Sequence, residues 1–365
     1  MDLHLHGDVL ESVVERVPAA DLAATARVSR EWLRAVRAAL RRRPRRMPWL
    51  VVHLQGRRCS TAAAYDPHSG AWLTMPHARH DTPSHARLVR AASGDRVCAL
   101  SVSGLAVARD ALGKDACVVL KAPGVWRVDP LFAAVGDRMV ALGGACHLAL
   151  TEGEDASVVE VHEHGSWTPC GPMPAALRET TGWASWFDPA KKQWGPTCSL
   201  RPDVAVSTWG LAPGRAGAER LVLFGAKRGG EQAESRIVVQ SWEVDGDGLG
   251  MWPPACDVAQ QDTMPSEMSE RLFPHDEEDQ EEMSPSIGVC GSATGGYVYN
   301  VAEPAVGAVL YELRDGMDGG AGAAVERWEW VPCAPVVEAE PLGRVILACS
   351  PVGLHELQLG RPAAQ

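Results

Sequence analysis

Hydrophobic positions change their period once along this 365-residue chain, near Trp49. Before that point they recur at helical spacing. Val9, Leu10, Val13, Val14 and Val17 fall on one helical face, and Trp32, Leu33, Val36 and Leu40 on another. Asp8, with Glu11 three residues on, has the form of a capping box. Pro18 stops the first helix, because it has no backbone N–H and restricts the residue before it. Asp21 restarts the chain ahead of Leu22, and Ser29 restarts it ahead of Trp32. A three-helix segment over residues 5–40 buries too little surface to be very stable alone. Its apolar ridge is therefore a candidate for docking a partner.

From Trp49 onward the pattern is strand-like. WLVVHLQ, STAAAYDP, AWLTM, RVCALSV, GLAVARD, ACVVLKA and DRMVALGG are short β-rich runs, punctuated by Gly, Pro and Asp at intervals near ten residues. This predicts an all-β sandwich, barrel or propeller over 47–365, joined to a helical module and basic linker over 1–46. Pattern fails between Met251 and Ser286, and the polar, acidic, proline-containing stretch 253–286 reads as a disordered insertion with its acidic core at 275–282.

Self-similarity selects among the β architectures. Tyr65-Asp66-Pro67-His68-Ser69-Gly70-Ala71-Trp72 is matched at the same spacing by Phe187-Asp188-Pro189-Ala190-Lys191-Lys192-Gln193-Trp194. SWTPCGPMP from Ser166 and RWEWVPCAP from Arg327 repeat its end. SGDRVCAL (93–100), VGDRMVALGG (135–144), ERLVLFGAKRGG (219–230) and GGYVYNVAEP (295–304) repeat a preceding half, with complete Gly-Gly pairs at Gly143-Gly144, Gly229-Gly230 and Gly295-Gly296. These units resemble kelch repeats, in which glycines permit a tight turn and a tryptophan fills the wedge between blades. The repeat positions so nominated are Tyr65, Trp72, Gly143, Gly144, Trp167, Trp194, Gly295, Gly296 and Trp330. The resemblance implies an all-β kelch-type β-propeller of about six blades, with five or seven as the alternatives, the unit near 177–200 being short. RVILACSPV and GLHELQLG, which no tryptophan unit follows, would complete the blade begun by WLVVHLQ.

The helical segment resembles an F-box, the small all-α module that attaches substrate receptors to the Skp-type adaptor of cullin–RING (SCF) ubiquitin ligases. The matching residues are Leu5 and Asp8, Leu10, Val17-Pro18, Asp21-Leu22, and Val28 with Trp32. His6 stands where the family usually has proline, and Val17 where it usually has leucine. The resemblance implies adaptor contacts through Leu5, Val9, Leu10, Val13, Val17, Pro18, Leu22 and Trp32.

Composition narrows the function further. The net charge of −11 is uneven: residues 1–48 hold 10 arginines against 6 acids, and the rest 25 basic against 40 acidic residues. An acidic body argues against nucleic acid as the main partner. Arg41-Arg42-Arg43-Pro44-Arg45-Arg46 is a solvated connector or a nuclear-import signal. Ten cysteines without a C-x-x-C pair read as reduced, buried thiols rather than a zinc site or disulfide framework. No apolar run approaches the ~20 residues that span a bilayer, and MDLHLHGD lacks the apolar core of a secretory signal. A cytoplasmic or nuclear protein that engages no membrane is the expectation.

Catalytic signatures are missing: there is no P-loop, G-x-S-x-G elbow, H-E-x-x-H or dinucleotide fingerprint. His162 and His164 flank Glu163 without a third ligand nearby, and His77, His80 and His85 lie in one connecting loop. The reading is of a non-enzyme with no metal or cofactor. Together the two resemblances look like the F-box/kelch proteins numerous in plants. They imply a substrate-recognition subunit whose propeller captures a protein for ubiquitination and degradation, metabolic enzymes such as those of phenylpropanoid or flavonoid synthesis being one class. A non-degradative kelch scaffold is the rival reading, and a propeller oxidase a third.

Overall fold

The computed structural model describes residues 7–42, 47–56, 60–75, 86–92, 94–108, 117–152, 154–179, 182–201, 203–215, 217–228, 236–252, 262–274, 285–314 and 325–351. Three helices open it: α1 (Gly7–Glu15), α2 (Ala19–Thr25) and α3 (Arg30–Arg42). Asp8 lies inside the first turn of α1, not ahead of it. Pro18 is the extended residue that leads into α2. Ser29 caps α3, its Oγ accepting the Trp32 N–H at 3.3 Å.

After Pro48 the described residues are organised mainly as strands. Blade 1 takes β1 (Trp49–Gln55), β2 (Ser60–Asp66) and β3 (Ala71–Met75). Blade 2 is β4 (Arg87–Arg90), β5 (Val97–Leu100), β6 (Gly104–Val107) and β7 (Val118–Lys121). Blade 3 is β8 (Leu131–Val135), β9 (Arg138–Leu142), β10 (Val158–Glu163) and β11 (Ser166–Pro172), followed by the short helix α4 (Ala175–Glu179). A reduced unit comes next, with β12 (Trp183–Ala184) paired to β15 (Cys198–Ser199) and β13 (Phe187–Asp188) to β14 (Gln193–Trp194). Blade 4 holds β16 (Val206–Gly214), β17 (Gly217–Arg228), β18 (Ile237–Asp245), β19 (Met251–Trp252) and β20 (Asp262–Thr263), with helix α5 (Ser266–Leu272) after it. Blade 5 is β21 (Ile287–Ser292), β22 (Gly295–Asn300), β23 (Ala308–Leu313) and β24 (Val325–Val331), followed by helix α6 (Pro335–Ala339).

The ring is closed by both ends of the chain. β25 (Arg344–Ser350) pairs antiparallel with β1 from Trp49↔Ser350 to Gln55↔Arg344, supplying the innermost strand of blade 1. First strands of successive blades lie side by side: β25 against β4 and β21, β4 against β8, and β16 against β21. Middle strands such as β1 and β22 are buried along nearly all their length, because a neighbouring blade covers each face. That is why they read as continuous apolar runs instead of alternating ones. Outermost strands such as β7 and β11 are largely exposed.

Two features differ from the sequence reading. Among the described residues there are five sheets of four or five strands, the lower of the alternatives to six. The segment 183–199 forms only a short two-stranded ribbon, since it is too short to thread a blade four times. It bridges its neighbours nonetheless: Phe187 and Trp194 pack on Val140, Val159 and Val161 of blade 3, and Ala184 packs with Leu223 and Val244 of blade 4.

The stretch 253–286 is not disordered throughout. Met264, Leu272 and Phe273 are buried, and α5 lies against the blade 4 core. Ser269 Oγ donates to the Ile237 carbonyl at 2.7 Å, and the Asp262 carboxylate accepts the Val325 N–H at 2.8 Å, which joins blade 4 to blade 5. Three apolar side chains are enough to dock a short segment whose composition is otherwise polar. The acidic core 275–282 lies outside the described residues.

Candidate partner-binding surfaces

Within the helical module, Leu10 and Val14 stand one turn apart on α1 and are sealed from solvent. Leu22 from α2 and Ala35, Val36, Ala39 and Leu40 from α3 complete that interior. The same apolar cluster continues into Trp49, Val51, Ala62, Ala64 and Ile346 of blade 1, so the module is packed onto the propeller. The linker is held as well: the Tyr297 hydroxyl donates to the Pro48 carbonyl at 2.6 Å.

The eight residues nominated for the adaptor therefore divide. Leu10 and Leu22 are interior, at 1% and 0% exposure, and hold the module together. Val17 and Trp32 are half-buried against the same cluster. Val9 (59%) and Val13 (38%) form an exposed stripe along α1, Pro18 is exposed at the start of α2, and Val28 adds a further exposed valine. Leu5 lies outside the described residues. In the basic connector Arg41 and Arg42 end α3, and residues 43–46 lie outside the described residues.

The nominated propeller residues show one recurring use of tryptophan. Trp72 on β3 donates its indole N–H to the Pro332 carbonyl at 3.2 Å, and Trp167 on β11 donates to the Lys121 carbonyl at 2.7 Å. Each thus ties the outermost strand of its blade to the outer edge of the blade before it in the ring. Trp330 on β24 takes the Arg271 guanidinium of α5 over its ring at 4.0 Å, again from the preceding blade. Trp194 packs against the blade 3 cluster.

The two sequence copies also share a fold. Tyr65 stands opposite Trp72 with ring centroids 5.3 Å apart, and Phe187 opposite Trp194 at 5.0 Å. In both turns an aspartate folds back on the backbone: Asp66 accepts the His68 N–H, and Asp188 accepts those of Ala190 and Lys191.

The glycine pairs are not equivalent. Gly143-Gly144 follows the second strand of blade 3, whereas Gly295-Gly296 opens the second strand of blade 5. Gly144 has φ +62°, and a Cβ there would lie 2.5 Å from the Asp129 carbonyl. At Gly296 a Cβ would lie 2.1 Å from the Cys290 carbonyl. Gly229-Gly230 lies outside the described residues.

An ion pair that sequence reading missed sits beneath the connection between blades 2 and 3. The side chain of Arg127 is fully buried and donates to Glu160 at 3.2 Å, to the Gly143 carbonyl at 2.7 Å and to the Val158 carbonyl at 2.9 Å. Glu160 also accepts the N–H groups of Gly124 and Val125. Burial pushes the Arg127 guanidinium down from its ordinary value, and Glu160 pulls it back up. Nothing in the chain around Arg127 distinguishes it from a surface arginine, so sequence carried no signal.

For chemistry the surfaces offer little. Among the described residues no three His, Cys, Asp or Glu side chains are grouped to hold a metal. His162 is buried edge-on to Trp167 with centroids 5.2 Å apart, while His164 sits in the following turn at φ 51°. His77, His80 and His85 lie outside the described residues. A cavity of about 10 Å³ between blades 1 and 5, lined by Leu50, Trp72, Ala308, Pro332 and Val337, has room for no more than a water molecule. Burial pushes the Cys98 thiol up to about 12, and Cys290 and Cys349 are equally enclosed. Among the described residues no helix is long and apolar enough to cross a membrane.

No family model matches the chain. An F-box/kelch-repeat protein of Arabidopsis thaliana is 29% identical over 391 aligned positions, spanning 97% of this chain and 92% of that relative. Among solved structures, a crystal structure of the eukaryotic initiation factor covers 79% of this chain and 74% of its own at 12% identity, with a TM-score of 0.28, too slight a likeness to bear on the fold. In its three opening helices, its propeller of small antiparallel sheets and its similarity along nearly the whole length, the chain is similar to an F-box/kelch-repeat protein.

Proposed function

We propose that the chain is the substrate-recognition subunit of an SCF-type ubiquitin ligase. Its helical module docks a Skp-type adaptor, and its propeller holds a protein substrate for ubiquitination. The observation that carries this is the exposed stripe of Val9 and Val13 beside Pro18, on a module whose interior is already filled by Leu10, Val14 and Leu22. Apolar side chains held in solvent by a completed core are suited to a partner surface. The proposed mechanism is positional: tethering raises the effective concentration of substrate lysines near a recruited conjugating enzyme, with no nucleophile supplied by this chain.

The shared apolar cluster between module and propeller suits that role, because a rigid mount fixes the distance from adaptor to substrate. Co-elution of the full chain with purified Skp-type adaptor, followed by reconstituted ubiquitination with the cullin–RING core, tests the proposal. A chain that never co-elutes would reject it.

The interior positions of Leu10 and Leu22 favour one alternative. With two nominated anchors spent on the module's own core, the helices could serve as a cap on a non-degradative scaffold. The adaptor experiment separates the two readings.

A further inference from the structure

We propose that the propeller face farthest from the helical module carries a docking patch built on Trp126, Val128 and Leu148, and that it takes a partner segment rich in both apolar and basic side chains. This rests on the reading of the propeller as a substrate-capturing surface and names the chemistry it selects.

The position follows from β25. That strand runs from Arg344, opposite Gln55, to Ser350, opposite Trp49, a span of roughly 20 Å at the usual strand rise. The junction that carries the module, with its Tyr297–Pro48 tie, lies at the Trp49 end. At the other end Arg344 pairs with Asp129 and donates to the Leu88 carbonyl. Asp129 directly follows Trp126-Arg127-Val128, so these residues lie on the far face.

Local geometry sets the apolar groups outward. Residues 126–128 are zipped to 144–146, the Val128 N–H donating to Gly144 at 2.7 Å and the Cys146 N–H to Trp126 at 3.0 Å. Side chains alternate along an extended segment. Arg127 points into the core, and its neighbours Trp126 (38%) and Val128 (42%) are exposed. The adjoining turn His147–Ala149 carries Leu148, which is 99% exposed. Leu342 (94%), two residues before Arg344, extends the patch toward blade 1. None of these side chains has a place in the core, and their concentration on one loop face marks an interaction surface.

The charges choose the occupant. Glu152 and Glu154 follow Leu148 in the same loop and are exposed, while Asp129 and Asp155 are engaged by Arg344 and by the Ser157 N–H and hydroxyl. Two arginines beside the patch are engaged, Arg127 with Glu160 and Arg344 with Asp129. An apolar centre with an acidic rim complements a segment that is apolar and basic. Because patch and module are at opposite ends of the strands, both can be occupied together.

The test uses the full chain and two labelled synthetic peptides of equal length and charge, one alternating leucine with lysine and one alternating serine with lysine, read by fluorescence anisotropy. The Leu/Lys peptide binds wild type at least about tenfold more tightly than the Ser/Lys peptide, and Trp126→Ala/Leu148→Ser removes that advantage. Glu152→Lys/Glu154→Lys weakens binding and flattens its salt dependence, while Asp137→Lys/Asp247→Lys, in turns at the module end, leaves affinity within about twofold. If the Trp126 substitution lowers the melting temperature, Leu148→Ser alone gives the same reading, since that side chain touches solvent only. Equal affinity for the two peptides, or unchanged binding by the Leu148 variant, overturns the proposal. Adaptor co-elution measured on the same proteins fails independently: loss of adaptor binding with peptide binding intact rejects the ligase role and leaves the patch standing.

Discussion

Arg127 and Glu160, 33 residues apart in the chain, meet in blade 3 with the guanidinium 3.2 Å from the carboxylate and both side chains closed to solvent. Around them converge the connection from blade 2, the glycine turn after β9 and the start of β10. Removing either partner strands a buried charge and costs about 3–5 kcal/mol. Glu160→Ala and Arg127→Ala should each lower the urea midpoint sharply. The double variant should lose clearly less than the sum of the two, as expected of groups that satisfy one another. Additive losses would show that the pair is not coupled.

Closure by β25 makes the body depend on its last described strand. Deleting residues 344–365 removes β25, the inner partner of β1, and leaves blade 1 without an inner strand. The shortened chain should melt without cooperativity, and Cys98 and Cys290, buried in the intact fold, should be alkylated rapidly. A truncated protein that melts cooperatively with protected thiols would show that closure is dispensable.

The tryptophan ties should be separable from tryptophan bulk. Trp167→Phe keeps an aromatic ring but loses the donor to Lys121, at a cost of about 1 kcal/mol. Trp167→Ala also loses the contact with Phe132, whose ring lies 6.3 Å away, and should cost about 3 kcal/mol. Chemical denaturation of both variants distinguishes the two contributions; equal losses would mean that the indole N–H contributes nothing.

Acid should weaken the fold in two steps. Burial holds the His162 imidazole below its ordinary value. The unfolded chain therefore takes up that proton first, and stability falls as pH drops below about 6.5. Glu163 is held below the usual carboxylate range by hydrogen bonds from Lys192 and then Arg138. Its contribution is present above about 4.3 and is lost as pH falls through the folded value. In urea titrations between pH 8 and 5, His162→Gln should remove part of the upper step. Superimposable pH profiles for wild type and variant would contradict the assignment.

Local rules made much of this legible. Pro18 and Ser29 punctuate the helices because capping and proline chemistry act over a few residues. The Tyr65–Trp72 hairpin and its Phe187–Trp194 copy share an Asp-Pro turn that the sequence displays directly. The β5, β9, β17 and β22 repeats are all second strands of their blades, as their shared hydrophobic pattern suggested. The reduced unit was harder, because strands of two residues leave no period to detect. α5 was hidden because its anchors, Met264, Leu272 and Phe273, are diluted by polar neighbours. Nor does a helical face reveal which of its valines and leucines the module keeps: Leu10 and Val9 are adjacent in sequence, one enclosed and one exposed, and only tertiary packing separates them.

The central claim is that the exposed face of the helical module docks a Skp-type adaptor. The most direct test is the affinity of purified adaptor for wild type and for Val9→Asp/Val13→Asp, measured by calorimetry. Both substitutions sit on an exposed stripe, so the melting temperature should hardly change. Interface anchors of this kind carry about 2 kcal/mol each; wild type should bind, and the variant should lose on the order of a hundredfold or more. Wild type that does not bind, or a folded variant that binds as well as wild type, would contradict the account.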